Sequence, residues 1–354
     1  MSAERVRIGF VGVGRMGQAA HLRNYASLPG CQVVALAELQ PELRERVARR
    51  YGVPHVYATA EELLAREQLD GIVAAQPFQR HGQLLPLLYQ AGIPVFTEKP
   101  LAASIAVGER LVAALRDAGS WHMVGYHKRS DPATSAARAE LDRLRQSGDL
   151  GALRYVRILM PAGDWIAGGF NDLVSTDEPP LALATDPPPP DMDADTYRAY
   201  TVFVNYYIHQ VNLLRHLFGE PYTVTYADPS GVLLVARSHS GVAGTIELSP
   251  YTTTLGWQES ALVAFEHGYV KLTLPAPLAY NQAGRVEFYR DPGQGAAPET
   301  IVPQLPPVHA MRQQALNFLA AIRGERKPPC EAAEALEDLY IARDYLRLKQ
   351  EQGG

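Results

Sequence analysis

Val6-Arg7-Ile8-Gly9-Phe10-Val11-Gly12-Val13-Gly14-Arg15-Met16-Gly17 is the stretch that decides the fold. Val6–Val11 is a short apolar run rich in β-branched residues, which reads as a buried strand. G-x-G-x-x-G follows at once, and Met16–Leu28 has the composition of a helix stopping at Pro29-Gly30. Strand, glycine turn and helix in this order make the dinucleotide fingerprint. The glycines permit a tight turn and close approach of a pyrophosphate, and the helix N-terminus offers unpaired N–H groups and a favourable dipole. Gly12, Gly14 and Gly17, with Arg15 and Met16 between them, are therefore the expected diphosphate contacts. A glycine loop alone is a common surface turn, so its neighbours carry the argument. A second apolar run, Gln32–Ala37, ends in Glu38, 21 residues after Gly17. An acid at about that distance holds the ribose hydroxyls of NAD and repels the 2′-phosphate of NADP. Leu39 and Gln40 bring no cation for that phosphate, so NAD is the expected cofactor.

Working outward, the α/β alternation continues. Pro41–Tyr51 reads as a charged helix with proline in its first turn. Thr59-Ala60-Glu61-Glu62 has capping-box spacing and opens a helix through Arg66. Gly71–Ala75 reads as a strand, Gln79–Ala91 as a helix and Ile93–Phe96 as a strand. Ser104–Ala118 is a helix capped by Ser104, and His122–Gly125 is a further strand. Repeated units of this kind imply a doubly wound parallel sheet with right-handed crossovers. The loops Gly12–Gly17, Gln76–His81, Glu98–Pro100 and Tyr126–Pro132 all leave strand C-termini, so they share one edge with the nucleotide. Lys99 lies just past such an end, and Pro100 restricts its backbone. A lone Lys-Pro is commonly a solvated turn; its place in this order makes Lys99 a candidate ligand contact.

Composition sets the bounds. A chain of 354 residues implies two domains. A net charge of −5 provides no basic stripe, so nucleic acid is not an expected partner. Two cysteines, Cys31 and Cys330, build neither a disulfide framework nor a thiolate metal site. No stretch approaches the roughly 20 apolar residues of a membrane span, and Met1–Arg5 runs straight into a strand, leaving no room for a signal peptide. A soluble, cytoplasmic protein is expected.

In the second half, Pro132–Ser147 reads as a helix ending at Gly148 and Leu153–Met160 as a strand. Residues 161–199 lack periodic pattern and carry Pro179-Pro180, Pro187–Pro190 and six aspartates from Asp172 to Asp195. Such a segment is either disordered or functional, and the functional version is a substrate-side lid. Tyr200–Phe218 reads as one long helix stopped by Gly219. Asn205, His209, Asn212 and His216 would form a polar stripe on it, facing a ligand or another polar surface. A histidine on such a helix is commonly a satisfied core residue. No clustered carboxylates accompany it, so no metal is expected. Alternating runs at Thr223–Asp228, Val232–Ser238, Gly244–Pro250, Ala261–Glu266, Tyr269–Leu274 and Val286–Arg290 imply one largely antiparallel sheet. A Pro-rich linker, Asp291–Pro307, then leads to helices at His309–Arg323 and Glu331–Lys349. The expected domains are 1–128 (nucleotide binding), 129–307 (substrate binding and oligomerisation) and 308–354 (closing helices).

The glycine turn, Pro77-x-x-x-His81, Glu98-Lys99-Pro100, and Gly125-Tyr126 followed by Arg129 and Asp131-Pro132 together resemble the Gfo/Idh/MocA oxidoreductases, the glucose–fructose oxidoreductase and inositol dehydrogenase group. The resemblance covers essentially the whole chain. It implies an N-terminal Rossmann domain with a doubly wound parallel sheet. It further implies a C-terminal α+β domain with a large, mostly antiparallel open sheet, through which homodimers or homotetramers form. The implied activity is NAD-dependent hydride transfer from a secondary alcohol of a sugar, cyclitol or related polyol. Gln76, Pro77, His81, Glu98 and Lys99 would surround the cofactor. Lys99 would also hydrogen-bond the reacting oxygen, with His127, Arg129, Asn205, Tyr206 and His209 on the substrate.

One departure bears on the chemistry. The family pattern Gly-Gly-x-Leu-x-Asp-x-x-x-His-x-x-Asp maps onto Asn205, His209 and Asn212, with Arg198-Ala199-Tyr200 where the glycines stand. Asparagine takes no proton, so a relay through a carboxylate is lost. His209 remains the candidate base, with Asn205 beside it in the catalytic set and Tyr206, Tyr207 and His127 as candidates to compensate. Two further readings stand beside the dehydrogenase. One is a redox-neutral enzyme that oxidises a sugar transiently to cleave or epimerise it. The other is a non-catalytic sugar- and nucleotide-binding regulator, against which the retained Glu98-Lys99-Pro100 and His209 argue.

Overall fold

Five of the six residues of β1 (Val6–Val11) are buried, as expected of a strand covered on both faces by helices. The computed structural model describes residues 5–293 and 295–353. Met1–Glu4, on which the reading of the N-terminus rested, and Gln294 of the expected linker lie outside them. The chain forms two compact units, each drawn from three stretches. One holds the chain up to Tyr126, Gly168–Tyr197 and Met311–Leu339; the other holds His127–Ala167, Arg198–Ala310 and the chain from Tyr340.

The first unit is built on a six-stranded sheet. After β1 come a π-helical turn, Gly17–Leu22, running into α1 (Arg23–Tyr25), then β2 (Cys31–Ala37), α2 (Pro41–Tyr51), β3 (His55–Tyr57) and α3 (Ala60–Arg66). The second half adds β4 (Gly71–Ala74), α4 (His81–Gln90), β5 (Val95–Glu98), α5 (Ile105–Ala118) and β6 (His122–Gly125). The strand order is β3-β2-β1-β4-β5-β6, with every pairing parallel. The order reverses between β1 and β4, the switch point at which doubly wound sheets bind ligands. Ile8, Phe10, Leu36, Val73 and Phe96 form the core, joined by Phe318 and Leu319 from the C-terminal stretch. Each such side chain contributes about 1.5–3 kcal/mol on burial. Local signals act as the spacing predicts: Thr59 accepts from the Glu62 amide at 3.3 Å, while the Glu62 carboxylate accepts from the Ala58 amide at 3.0 Å.

The second unit carries α6 (Pro132–Ser147), capped by Asp131, and β7 (Leu153–Ala162). Next come α7 (Ala194–Tyr206), whose first turn belongs to the first unit, and α8 (Ile208–Phe218). Then follow β8 (Tyr222–Ala227), β9 (Leu233–Ser238), β10 (Ala243–Thr252), β11 (Glu259–Phe265), β12 (Gly268–Leu274), β13 (Arg285–Arg290) and β14 (Glu299–Ile301). The eight strands run β14-β13-β12-β11-β7-β10-β9-β8. β7 and β10 pair in parallel and the other pairings are antiparallel. α9 (Ala310–Ile322) and α10 (Ala332–Gly353) complete the chain. Among the described residues no helix is long and apolar enough to cross a membrane.

Two expectations change. The Pro-rich stretch Asp291–Pro307 is not wholly linker, because β14 pairs with β13 at Phe288, Tyr289 and Arg290. The helix expected over Tyr200–Phe218 is two helices. Tyr207, at φ −98° and ψ −5°, separates them, and its carbonyl accepts from the amides of both Gln210 and Val211. Asn205 and His209 therefore do not share one helical stripe. The run Tyr206-Tyr207-Ile208 contains no Gly or Pro, so nothing local announces the break; side chains weak in helix propensity permit it.

His122 makes one consequence measurable. It is fully buried in β6, with Tyr89 Oη 2.8 Å from Nδ1 and Thr97 Oγ1 2.8 Å from Nε2. Burial, with His81 nearby, lowers its pKa to about 3. The unfolded chain binds this proton near pH 6.5, so between those values the unfolded state holds more protons. The contribution is complete above about pH 6.5 and declines on acidification by about 1.4 kcal/mol per pH unit. Urea melts from pH 7 to pH 4 should show a smaller acid-side loss in His122→Gln than in the parent. Equal pH slopes would contradict the assignment.

Candidate functional site

At the end of β1 the backbone turns through Gly12 at φ +88°. A Cβ there would lie 2.3 Å from Gln76 Nε2 and 2.7 Å from the Ala75 carbonyl. At Gly17 a Cβ would lie 2.7 Å from the Gly12 carbonyl. Protein packing thus explains the first and third glycines. Gly14 differs: it is exposed, and a Cβ there meets no protein atom within 4 Å. No described residue requires glycine at 14, whereas close approach of a diphosphate does. The turn therefore fits the dinucleotide on its own geometry. Arg15 is exposed and Met16 partly so.

Glu38 stands at the carboxyl end of β2. Its Oε2 accepts from the Val13 amide at 3.1 Å and Oε1 from the Gln40 amide at 3.2 Å. The carboxylate is thus fixed against the glycine turn, and each oxygen keeps acceptor capacity for a ribose hydroxyl. At the end of β4, Gln76 accepts from Arg80 Nη1 at 3.0 Å, and Pro77 is exposed. At the end of β5, Glu98 Oε1 lies 2.7 Å from His21 Nε2, and the His21 ring packs edge-on against Phe96. Lys99 follows, partly exposed, with a cis bond to Pro100. His81, expected on the cofactor, is 0 % exposed, and its Nδ1 lies 2.9 Å from the Leu101 carbonyl. Burial lowers its pKa, so it stays neutral and braces the loop beyond Lys99 rather than presenting a face to solvent. Sequence spacing gave no sign of His21, which ties Glu98 to the helical turn after the glycines.

Of the stretch 161–199, read as disordered or as a substrate-side lid, residues 168–197 lie along the first unit. Gln18 exchanges two hydrogen bonds of 3.0 Å with the backbone of Val174, and Asp172 pairs with Arg50. The Glu178 carboxylate accepts from the amides of Glu42 and Leu43, both at 3.0 Å. Farther on, Arg80 Nε donates to the Ala184 carbonyl at 3.3 Å. Asp186, buried, accepts from the Gly82 amide at 2.9 Å and from Gln83 Nε2 at 3.2 Å. The Glu178 anchor lies at the start of α2, which follows β2, and the Asp186 anchor at the start of α4, which follows β4. β1 and its glycine turn stand between those strands, so the segment spans the switch point.

The second unit gathers the other candidates. His127 and His209 meet edge to face with centroids 4.5 Å apart. Arg129, buried, donates from Nε to Asn212 Oδ1 at 2.5 Å. Asn212 is thus a neutral acceptor for a guanidinium. Asn205 is exposed on α7 and Tyr206 partly exposed. Burial, with Arg129, Arg138, Arg145 and Arg215 nearby, drives the His216 pKa well below its usual value. Sequence reading missed a buried ionic group here. Lys128 pairs with Glu259, which also accepts from Gln210 Nε2 at 2.7 Å and from Trp257 Nε1 at 3.0 Å. Burial raises the Asp131 pKa to about 6 against the opposing N–H groups of Ala133 and Gly284. No local motif marks the contacts of Lys128 and Gln210 with Glu259 or of Gly284 with Asp131, since those partners are far apart in sequence.

Residues 6–126 match the model of the oxidoreductase family Gfo/Idh/MocA, NAD-binding Rossmann fold. The chain is 21% identical over 359 aligned positions to an uncharacterised oxidoreductase of Bacillus subtilis (strain 168), covering 96% of this chain and 93% of that one. It is 24% identical to scyllo-inositol 2-dehydrogenase (NAD(+)) of the same organism, over 69% of this chain and 67% of the other. Among solved structures, an oxidoreductase of Desulfitobacterium hafniense described as NADPH-dependent superposes with a TM-score of 0.77 at 14% identity, covering 99% of this chain and 97% of that one. At that identity the likeness concerns the fold.

Gly14 provides a test that separates binding from folding. Gly14→Val should leave the melting temperature within about 2 °C, as an exposed position without packing partners allows. It should weaken NAD at least about tenfold, some 1.4 kcal/mol, read by calorimetric titration.

Proposed function

We propose, from the match of residues 6–126 to the NAD-binding Rossmann fold of the Gfo/Idh/MocA oxidoreductases, that the chain is an NAD-dependent dehydrogenase acting on a secondary alcohol of a sugar, cyclitol or related polyol. The observation that carries this reading is the arrangement at the carboxyl edge of the parallel sheet. An open cradle at Gly14 lies beside the fixed carboxylate of Glu38, and Lys99 follows the end of β5 in a loop braced by His21 and His81. In this proposal the backbone of Gly12–Gly17, with Arg15 and Met16, receives the diphosphate, and Glu38 receives the adenosine ribose. Gln76, Pro77 and the Glu98–Lys99 loop flank the nicotinamide. Bound NAD supplies the hydride acceptor.

Lys99 donates an ammonium N–H to the reacting oxygen and stabilises the charge that develops there. A ring nitrogen of His209 takes the hydroxyl proton while the hydride leaves the carbon that bears it. His127, Arg129, Asn205 and Tyr206 orient the remaining hydroxyls by hydrogen bonding. With asparagine at 205 and 212, no carboxylate at those positions carries the proton onward, so His209 is the terminal acceptor. The open face of the eight-stranded sheet is the surface assigned to homodimer or homotetramer assembly.

A second reading is favoured by the segment anchored on both sides of β1. A cofactor held beneath it would be retained between turnovers, which suits redox-neutral cleavage or epimerisation of a glycoside. One experiment distinguishes the two. Purified protein with NAD is offered a panel of cyclitols, aldoses and glycosides while NADH absorbance and product composition are followed. Net NADH with one substrate, reduced about 10²-fold or more in Lys99→Met, is the dehydrogenase outcome. Glycoside conversion without NADH is the redox-neutral one. Neither signal, from protein shown to bind NAD, refutes both.

A further inference from the structure

The segment 168–197 delivers one acidic side chain to a place that bears on cofactor choice. We propose that Glu178 is a cofactor-specificity residue: its carboxylate occupies the first-turn N–H groups of the helix that follows Glu38 and denies them to the 2′-phosphate of NADP. The proposal rests on the reading that a dinucleotide lies along the glycine turn with its adenosine ribose at Glu38.

The start of α2 is where such a phosphate would be met. Glu42 and Leu43 lie four and five positions beyond Glu38. Pro41 has no N–H, and Gln40 at the N-cap makes no side-chain cap bond. The first free donors of this eleven-residue helix are therefore the amides of Glu42 and Leu43. Helix N-termini attract phosphate through such donors and the dipole behind them, and Arg44 stands in the next position, donating from Nη1 to the Glu38 carbonyl at 2.8 Å. Donors, dipole and guanidinium would together suit a 2′-phosphate.

Glu178 takes that place. Oε1 accepts from Glu42 and Oε2 from Leu43, and the Thr176 hydroxyl donates to Oε2 at 3.1 Å. Gln40 ties the two acids together. Its backbone amide holds Glu38, while its side-chain amide donates to the carbonyls of Glu178 at 3.4 Å and Pro179 at 3.2 Å. Burial opposes ionisation of Glu178, but the two amides, Thr176 and Arg44 together lower its pKa. It is therefore an anion at neutral pH. A phosphate on a ribose held by Glu38 would meet at the start of α2 a second carboxylate, that of Glu178, and like charges repel.

Asp186 supplies an internal control. The same segment places it at the start of α4, where it accepts from the Gly82 amide, but that helix follows β4 rather than the ribose-binding strand β2. If Glu178 served only to fasten the segment, loosening either anchor would have the same effect on nucleotide choice.

The test measures 5′-AMP and 2′,5′-ADP by calorimetric titration, so neither substrate nor activity enters. The chains compared are the parent, Glu178→Gln, Glu178→Ala, Glu38→Gln, Glu38→Gln/Glu178→Gln and Asp186→Asn, each checked by its melting curve. Glutamine keeps an acceptor oxygen and removes the charge; alanine uncovers both amides and keeps the test open if glutamine fails to fold. In the Glu38→Gln background, Glu178→Gln should raise affinity for 2′,5′-ADP relative to 5′-AMP at least tenfold. Asp186→Asn should leave the ratio within twofold of the parent. An unchanged ratio, equal weakening of both nucleotides, or the same change in Asp186→Asn would overturn the proposal. A parent that binds neither 5′-AMP nor NAD would instead overturn the dinucleotide reading, a distinct result.

Discussion

The passage of the backbone through Gly12 is the constraint on which the nucleotide unit depends. β1 is hydrogen-bonded to a strand on each side, so its turn must leave the sheet without room to widen. The Gly12 amide donates to the Ala37 carbonyl and the Ala75 amide to the Val11 carbonyl, which clamps the turn between β2 and β4. The left-handed φ at Gly12 and its proximity to Gln76 follow from that clamp. Once the turn is fixed, the Val13 amide is presented to Glu38 and Gln18 Nε2 to the Val13 carbonyl. The neighbouring loops are then positioned by contacts to a rigid object rather than by their own preferences.

Buried polarity is handled in two ways. In the first, His81 and His122 are held neutral by burial and act as hydrogen-bonding struts between elements. Neutral rings avoid the several kcal/mol that burying an ion costs. In the second, charge is buried outright: Lys128 and Glu259 pair, and Trp257 and Gln210 supply further donors to the carboxylate. Such a pair adds little net stability, but losing one partner costs about 3–5 kcal/mol. It therefore specifies one arrangement of the turn at His127–Ser130, the start of β11 and the N-terminal half of α8.

Long-range caps are the recurrent device at the sheet edge. α2 lacks a local side-chain cap and α4 has none at Arg80. Both receive a carboxylate from the same irregular segment. A stretch without periodic structure is thereby ordered by helix ends, and the helix ends are completed by it. Its prolines and aspartates, which read as signs of disorder, suit an extended chain that needs acceptors at fixed intervals.

The sequence by itself determined the parallel sheet, the place of its glycine turn, the acid at Glu38 and the lysine at the end of β5. These follow from periods, caps and spacings that act within one turn or one strand. It also carried the alternation of the large second sheet. Only the tertiary structure decided the rest: the break at Tyr207, the short strand β14, the brace of His21 on Glu98, the withdrawal of His81 into the core, and the seating of Glu178 and Asp186. Each depends on a partner distant in sequence or on packing that outweighs local preference. A hydrogen bond between residues more than a hundred positions apart leaves no periodic trace in the chain.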